Sequence, residues 1–215
     1  MKEGLAVLCF LVIGVLAACG EPAGRPRVLL LGDSISIGYA DVVRNELRGR
    51  AEVYRIPDNA GSSTNALENV GRWLGSGDWD VIYFNCGLHD LKIMPDGSRQ
   101  VSRETYEANL RQLVRRLKAT GATLIWASTT PVPFGKGRVG QRNAADVPVY
   151  NAIASRVMTE ERVLVDDLYG FAQPRLSDIQ RPENVHFTEA GSLVLGKRVA
   201  ETIVAYLPER AVVVP

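Results

Sequence analysis

Histidine and cysteine are scarce in this chain, with two and three residues among 215, and each scarcity excludes a class of chemistry. Two histidines and no zinc-like spacing leave a metal-assisted hydrolase short of ligands, since it would have to draw on Asp33, His89, Asp90 and His186. No metal site is expected. An excess of either charge is also missing: the formal net charge is +1, which removes the electrostatic case for nucleic acid as a partner. No apolar run is long enough to span a membrane comfortably, and no internal repeat or second domain can be read. A phosphate loop is absent too, because Gly135-Lys136-Gly137 lacks the spaced glycine and the following Ser or Thr.

What the N-terminus does have is Lys2, an apolar run over residues 5–18 and then Cys19. The run has the length of a signal-peptide core. Leu16-Ala17-Ala18-Cys19 resembles the bacterial lipoprotein box, which implies cleavage before Cys19 and lipid on its sulfur. The expected division is a lipoprotein signal over 1–18, a Pro/Gly linker over 19–26 and one domain over 27–215. Cys9 then leaves with the signal and Cys19 carries lipid, so Cys86 remains alone and no disulfide can form inside the domain. The chain is expected to be exported to the cell envelope, with membrane contact only through the anchor.

Past the linker, short apolar runs alternate with helical patterns. Strands are predicted over 27–31, 52–56, 81–85, 123–128 and 163–165. Tyr106, Leu110, Leu113, Val114 and Leu117 fall at helical spacing after Ser102, a predicted N-cap, and Thr188 is placed to cap a last helix bearing Leu195, Val199 and Ile203. Alternating βα units with fully apolar strands indicate a parallel five-stranded sheet covered by helices on both faces. Ligands of such sheets bind beyond the carboxyl ends of the strands, where Gly32-Asp33-Ser34, residues 85–90 and residues 129–133 emerge. The glycine-containing segment 131–148 leaves the same edge and is expected to act as a flap.

Serine becomes a nucleophile only when a base takes its proton and a third group orients that base. Ser34 at the end of the first strand and His186 before the last helix supply the first two. Glu183, three residues before His186, is expected to be the third, with Asp166 and Asp167 as rival acids. An oxyanion needs donors aimed at it, and the candidates are the N–H groups of Ser34 and Gly61 and the imidazole of His89.

In order and spacing, Gly32-Asp33-Ser34, Gly61, Gly87-Leu88-His89-Asp90 and Glu183-Asn184-Val185-His186 resemble the four blocks of SGNH (GDSL-type) hydrolases across nearly the whole mature chain. The resemblance implies a flavodoxin-like three-layer α/β/α sandwich. It also implies Ser34 as nucleophile, His186 as base, an oxyanion hole from Ser34, Gly61 and position 89, and no cofactor. Two positions depart from the family pattern, with His89 where asparagine is usual and Glu183 where aspartate is. The expected activity is hydrolysis of acyl esters with short chains, acetyl groups on carbohydrate among them, on a small-molecule or glycan substrate. Two rivals share the fold: a noncatalytic glycan- or lipid-binding lipoprotein, and an acyltransferase using the same site.

Overall fold

In β1 (Arg27–Leu31), Val28 and Leu30 face one side of the sheet and Leu29 and Leu31 the other, and all four are buried. Side chains alternate along a strand, so a strand apolar at every position must be covered twice. The computed structural model describes residues 24–75, 77–133, 135 and 137–209; the signal over 1–18 and Cys19 lie outside the described residues. β1 is followed by α1 (Ser34–Glu46), β2 (Glu52–Arg55), α2 (Ser63–Leu74), β3 (Val81–Phe84), α3 (Arg103–Lys118), β4 (Thr123–Ala127), α4 (Asp146–Glu160) and β5 (Leu164–Asp166). Two short helices, α5 (Leu168–Ala172) and α6 (Leu176–Ile179), precede α7 (Glu189–Val204).

The strands form one parallel sheet in the order β2-β1-β3-β4-β5. This is the five-stranded α/β architecture expected from the sequence, with strand ends shifted by one residue at most. Leu29, Leu31, Ile82, Phe84, Leu124 and Trp126 pack against α2, α3 and α4. Val28, Leu30, Val81, Tyr83, Ile125 and Ala127 pack against α1 and α7. The predicted caps form: the Ser102 side chain accepts from Thr105 N, and that of Thr188 from Gly191 N. Among the described residues no helix is long and apolar enough to cross a membrane.

A parallel order with β3 central and β1 and β4 on either side of it sets the site. The chain leaves β1, β3 and β4 at the same edge, so the turns at 32–36, 85–90 and 128–133 lie side by side. The α6–α7 connection returns His186 to that edge.

Candidate active site

The turn after β1 is tight for a steric reason: a Cβ on Gly32 would lie 2.9 Å from the Ser36 Cβ. Asp33 is the N-cap of α1, its Oδ1 accepting from Ile35 N at 2.9 Å. Ser34 is thereby the first residue of the helix, and its N–H belongs to the first turn, where no intrahelical carbonyl is available. Arg55, at the end of β2, braces the turn from outside. Its guanidinium donates to Ser36 Oγ at 3.1 Å, Ile56 O at 2.6 Å, Gly32 O at 3.1 Å and Asp33 O at 3.4 Å. No local pattern announced this clamp, since a long side chain crossing between neighbouring strand ends leaves no sequence periodicity.

His186 is brought to Ser34 by a short brace. Gln180 Nε2 donates to Pro131 O at 2.9 Å, Arg181 N to His186 O at 3.0 Å, and Thr188 N to Ile179 O at 2.8 Å. The imidazole Nε2 lies 2.8 Å from Ser34 Oγ. On the far side of the ring, Nδ1 lies 2.7 Å from Asn184 Oδ1, which also accepts from the His186 backbone N–H at 3.0 Å. An amide oxygen can only accept, so Nδ1 carries the proton and the Nε2 lone pair faces the serine hydroxyl. That is the tautomer a general base requires.

The geometry differs here from the sequence-based expectation for Glu183. Glu183 is exposed and adopts φ 50°, left-handed backbone that is uncommon outside glycine. This conformation turns its side chain outward and sets Asn184 under the ring. The rival acids are engaged elsewhere. Asp166 is buried and accepts from Tyr83 Oη, Arg198 and Thr202 Oγ1, while Asp167 accepts from Ser128 Oγ and Gly170 N. An Asn-x-His stretch is a recognisable Asx-turn pattern, in which the Asn oxygen takes the N–H two residues on, and it was the available signal.

The expected oxyanion donors are arranged unevenly. Gly61 has φ 63°, which explains glycine there, but its N–H donates within its own loop to Asn59 Oδ1 at 2.9 Å. That differs from an N–H already directed at a substrate oxygen. His89 Nε2 lies 3.9 Å from Asp33 Oδ2, too far for a direct hydrogen bond. Burial holds the His89 pKa below its ordinary value, with Asp33 opposing. Burial pushes Asp33 the other way, upward, against the influence of His89, the Ile35 N–H, Arg142 and His186. Among the described residues no cluster of three His, Cys, Asp or Glu side chains could hold a metal ion.

Asp90 locks two of these loops together. Its carboxyl accepts from Ser63 N at 3.0 Å and Ser63 Oγ at 2.5 Å, and Asn109 Nδ2 donates to Ser63 Oγ at 3.1 Å. Burial raises its pKa from 3.8 to about 6, despite the Ser63 bonds that favour the charged form. The fold therefore holds a proton that the unfolded chain releases. This contribution is complete below the unfolded value of 3.8 and is lost as pH rises through about 6. Asp90→Asn keeps an acceptor for Ser63 and removes the titration. Unfolding free energies from denaturant titration are expected to fall by about 2 kcal/mol more for the native chain than for the variant between about pH 4 and pH 7. Equal losses would show that Asp90 titrates at its ordinary pKa.

The segment expected to be a flap is fastened. Ile93 N donates to Gln141 O at 2.9 Å, Gly140 N to Ile93 O at 2.8 Å, and Arg142 Nε to Leu88 O at 2.8 Å.

Residues 30–194 match the model of the GDSL-like lipase/acylhydrolase family. An acetyl xylan esterase, AlAXEase, superposes with a TM-score of 0.69 at 14% identity, covering 82% of this chain and 99% of its own. A lipase/acylhydrolase from Enterococcus faecalis superposes with a TM-score of 0.70 at 22% identity over 86% and 100%. A psychrotrophic esterase, EstA from Pseudoalteromonas sp., gives 0.67 at 13% over 84% and 97%. At such identities these three likenesses show the fold. No curated protein matches the chain significantly.

Proposed function

We propose, from the premise that this chain belongs to the GDSL-like lipase/acylhydrolase family and is an esterase of that family, that it hydrolyses short-chain acyl esters, acetyl esters of carbohydrate among them, with Ser34 as nucleophile. The observation that carries the reading is the 2.8 Å contact between His186 Nε2 and Ser34 Oγ, with Nδ1 bound to Asn184. As Ser34 Oγ attacks the ester carbonyl carbon, its proton passes to His186 Nε2 and the carbonyl oxygen becomes an oxyanion. Collapse of that intermediate returns the proton from Nε2 to the departing alcohol and leaves an acyl-serine. Water, deprotonated by the same nitrogen, then releases the acid. Asn184 holds the ring throughout.

The Ser34 N–H and the His89 imidazole are the oxyanion donors in this mechanism. Gly61 joins them when the exposed Asn59 side chain releases its N–H. Burial favours neutral His89, which suits a donor that must keep one N–H and add no mobile proton. A short acyl group is supported by the loops 58–65, 91–102 and 131–148, whose sequences hold no long apolar stretch to line a channel for a lipid chain. The likeness to an acetyl xylan esterase points the same way for the alcohol part. Export and a lipid anchor at Cys19 complete the proposal, and they would keep the enzyme at the envelope.

The test is a series of para-nitrophenyl esters with increasing acyl length, run beside acetylated xylan. Turnover is expected to be greatest for acetyl and to fall as the chain lengthens. A maximum at long chains would overturn the short-acyl assignment. Acylated sugar formed in place of free acid, when a sugar acceptor is added, would make the chain a transferase.

A further inference from the structure

We infer that Arg142 binds a carboxylate on the substrate, so that the preferred esters of this site are anionic. The inference rests on the Ser34 hydrolase reading and names its substrate class.

Arg142 lies in the segment between β4 and α4. Its Nε donates to Leu88 O at 2.8 Å, which fixes the guanidinium one residue from His89. Its two terminal nitrogens make no hydrogen bond or ion pair with any described residue. Other arginines are engaged: Arg55 spends its nitrogens on the Gly32–Ser36 turn, Arg99 meets Asp146 at 2.5 Å, and Arg198 meets Asp166 at 2.9 Å. Arg142 is partly buried, and burial lowers its pKa against the opposing charge of Asp33, which lies beyond ion-pair distance. A guanidinium withdrawn from water without a carboxylate in hydrogen-bond contact is costly, and a ligand that supplies that contact recovers part of the cost.

The charges on the solvent side of His89 are of one sign. Arg142 and Lys92 act on His89 as positive neighbours, while Asp33, which opposes them and also acts on Arg142, is only 4% exposed beneath the turn. An ester approaching the strand ends therefore meets cations. The fork is also preorganised, because Gly140 and Gln141 pair with Ile93 and hold the backbone before Arg142. Planar bidentate recognition of a carboxylate suits such a fixed guanidinium.

The experiment compares kcat/KM within two ester pairs. Para-acetoxybenzoate and its methyl ester differ by a carboxylate on the alcohol side. The para-nitrophenyl monoester of adipic acid and para-nitrophenyl hexanoate differ by one on the acyl side. Hydrogen bonds to a charged group are worth about 1.5–3 kcal/mol, so the native enzyme is expected to favour the anionic member of one pair by roughly 10- to 100-fold. The pair that responds tells which side carries the charge. Arg142→Gln should reduce that preference towards unity, and Arg142→Lys should retain part of it. Absence of preference, its survival in Arg142→Gln, or an equal loss on both members of a pair would overturn the inference. Turnover of none of the four esters would overturn the hydrolase reading instead. Calorimetric binding of para-hydroxybenzoate to the Ser34→Ala chain then decides about Arg142, with tenfold weaker binding expected on adding Arg142→Gln and equal affinity contradicting it.

Discussion

Ser34→Ala is expected to lower kcat for ester hydrolysis by roughly 10⁶-fold, the scale on which a nucleophile acting within a catalytic unit is lost. The melting temperature should hardly move. Ser34 is half-exposed at the first position of α1, and its hydroxyl is hydrogen-bonded to His186. The turn itself is held by Asp33 and Arg55, which the substitution leaves in place. His186→Ala should fall nearly as far, because Ser34 then has no base. The double variant should be no worse than either single one, since proton removal and attack are one step and a missing half disables the other. Losses that multiply would mean that the two residues act independently, which the 2.8 Å contact does not allow.

The second large effect separates Asn184 from Glu183. Asn184→Ala removes the group on Nδ1, freeing the ring to rotate and to carry its proton on the wrong nitrogen. Misplacing a catalytic group by about 1 Å can cost 10²-fold, and loss of an orienting triad member has cost about 10⁴-fold elsewhere. The expected fall in kcat lies between those values, with KM little changed. Glu183→Gln, at an exposed side chain away from the ring, should leave kcat near the native value. Asn184→Asp should remain active and move the acid limb of the kcat/KM profile to higher pH, because a carboxylate on Nδ1 stabilises the imidazolium. The charged and titratable groups facing His186 from α1 and the 85–90 loop, Asp33 and His89, are common to both proteins. They therefore cannot produce the shift. A crippled Glu183→Gln beside a healthy Asn184→Ala would restore the carboxylate assignment.

These residues show what a sequence makes legible. β1, β3 and β4 could be read because each is apolar at successive positions, and burial on both faces permits little else. The caps at Ser102 and Thr188 could be read because a helix start is a local event decided within four residues. Ser34 and His186 followed from chemistry, since a chain with two histidines has few bases to offer. The expectation for Glu183 weighed charge and spacing but not backbone conformation. A left-handed residue at 183 redirects the side chain and presents its neighbour. Arg55 and Arg142 escaped for another reason: each acts across a gap between segments distant in sequence, and such reach has no period. The flap was expected from its glycines, but the bonds that fasten it come from Leu88 and Ile93, and only the folded chain brings those within reach.

The central claim is that Ser34, activated by His186, is the nucleophile, and covalent labelling tests it most directly. An alkyl fluorophosphonate phosphonylates an activated serine with loss of fluoride, and peptide mass spectrometry locates the adduct. The expected result is stoichiometric modification of the peptide containing Ser34, absent in Ser34→Ala and greatly slowed in His186→Ala. An adduct on any other residue, or an unmodified Ser34 in protein that still hydrolyses esters, would contradict the claim.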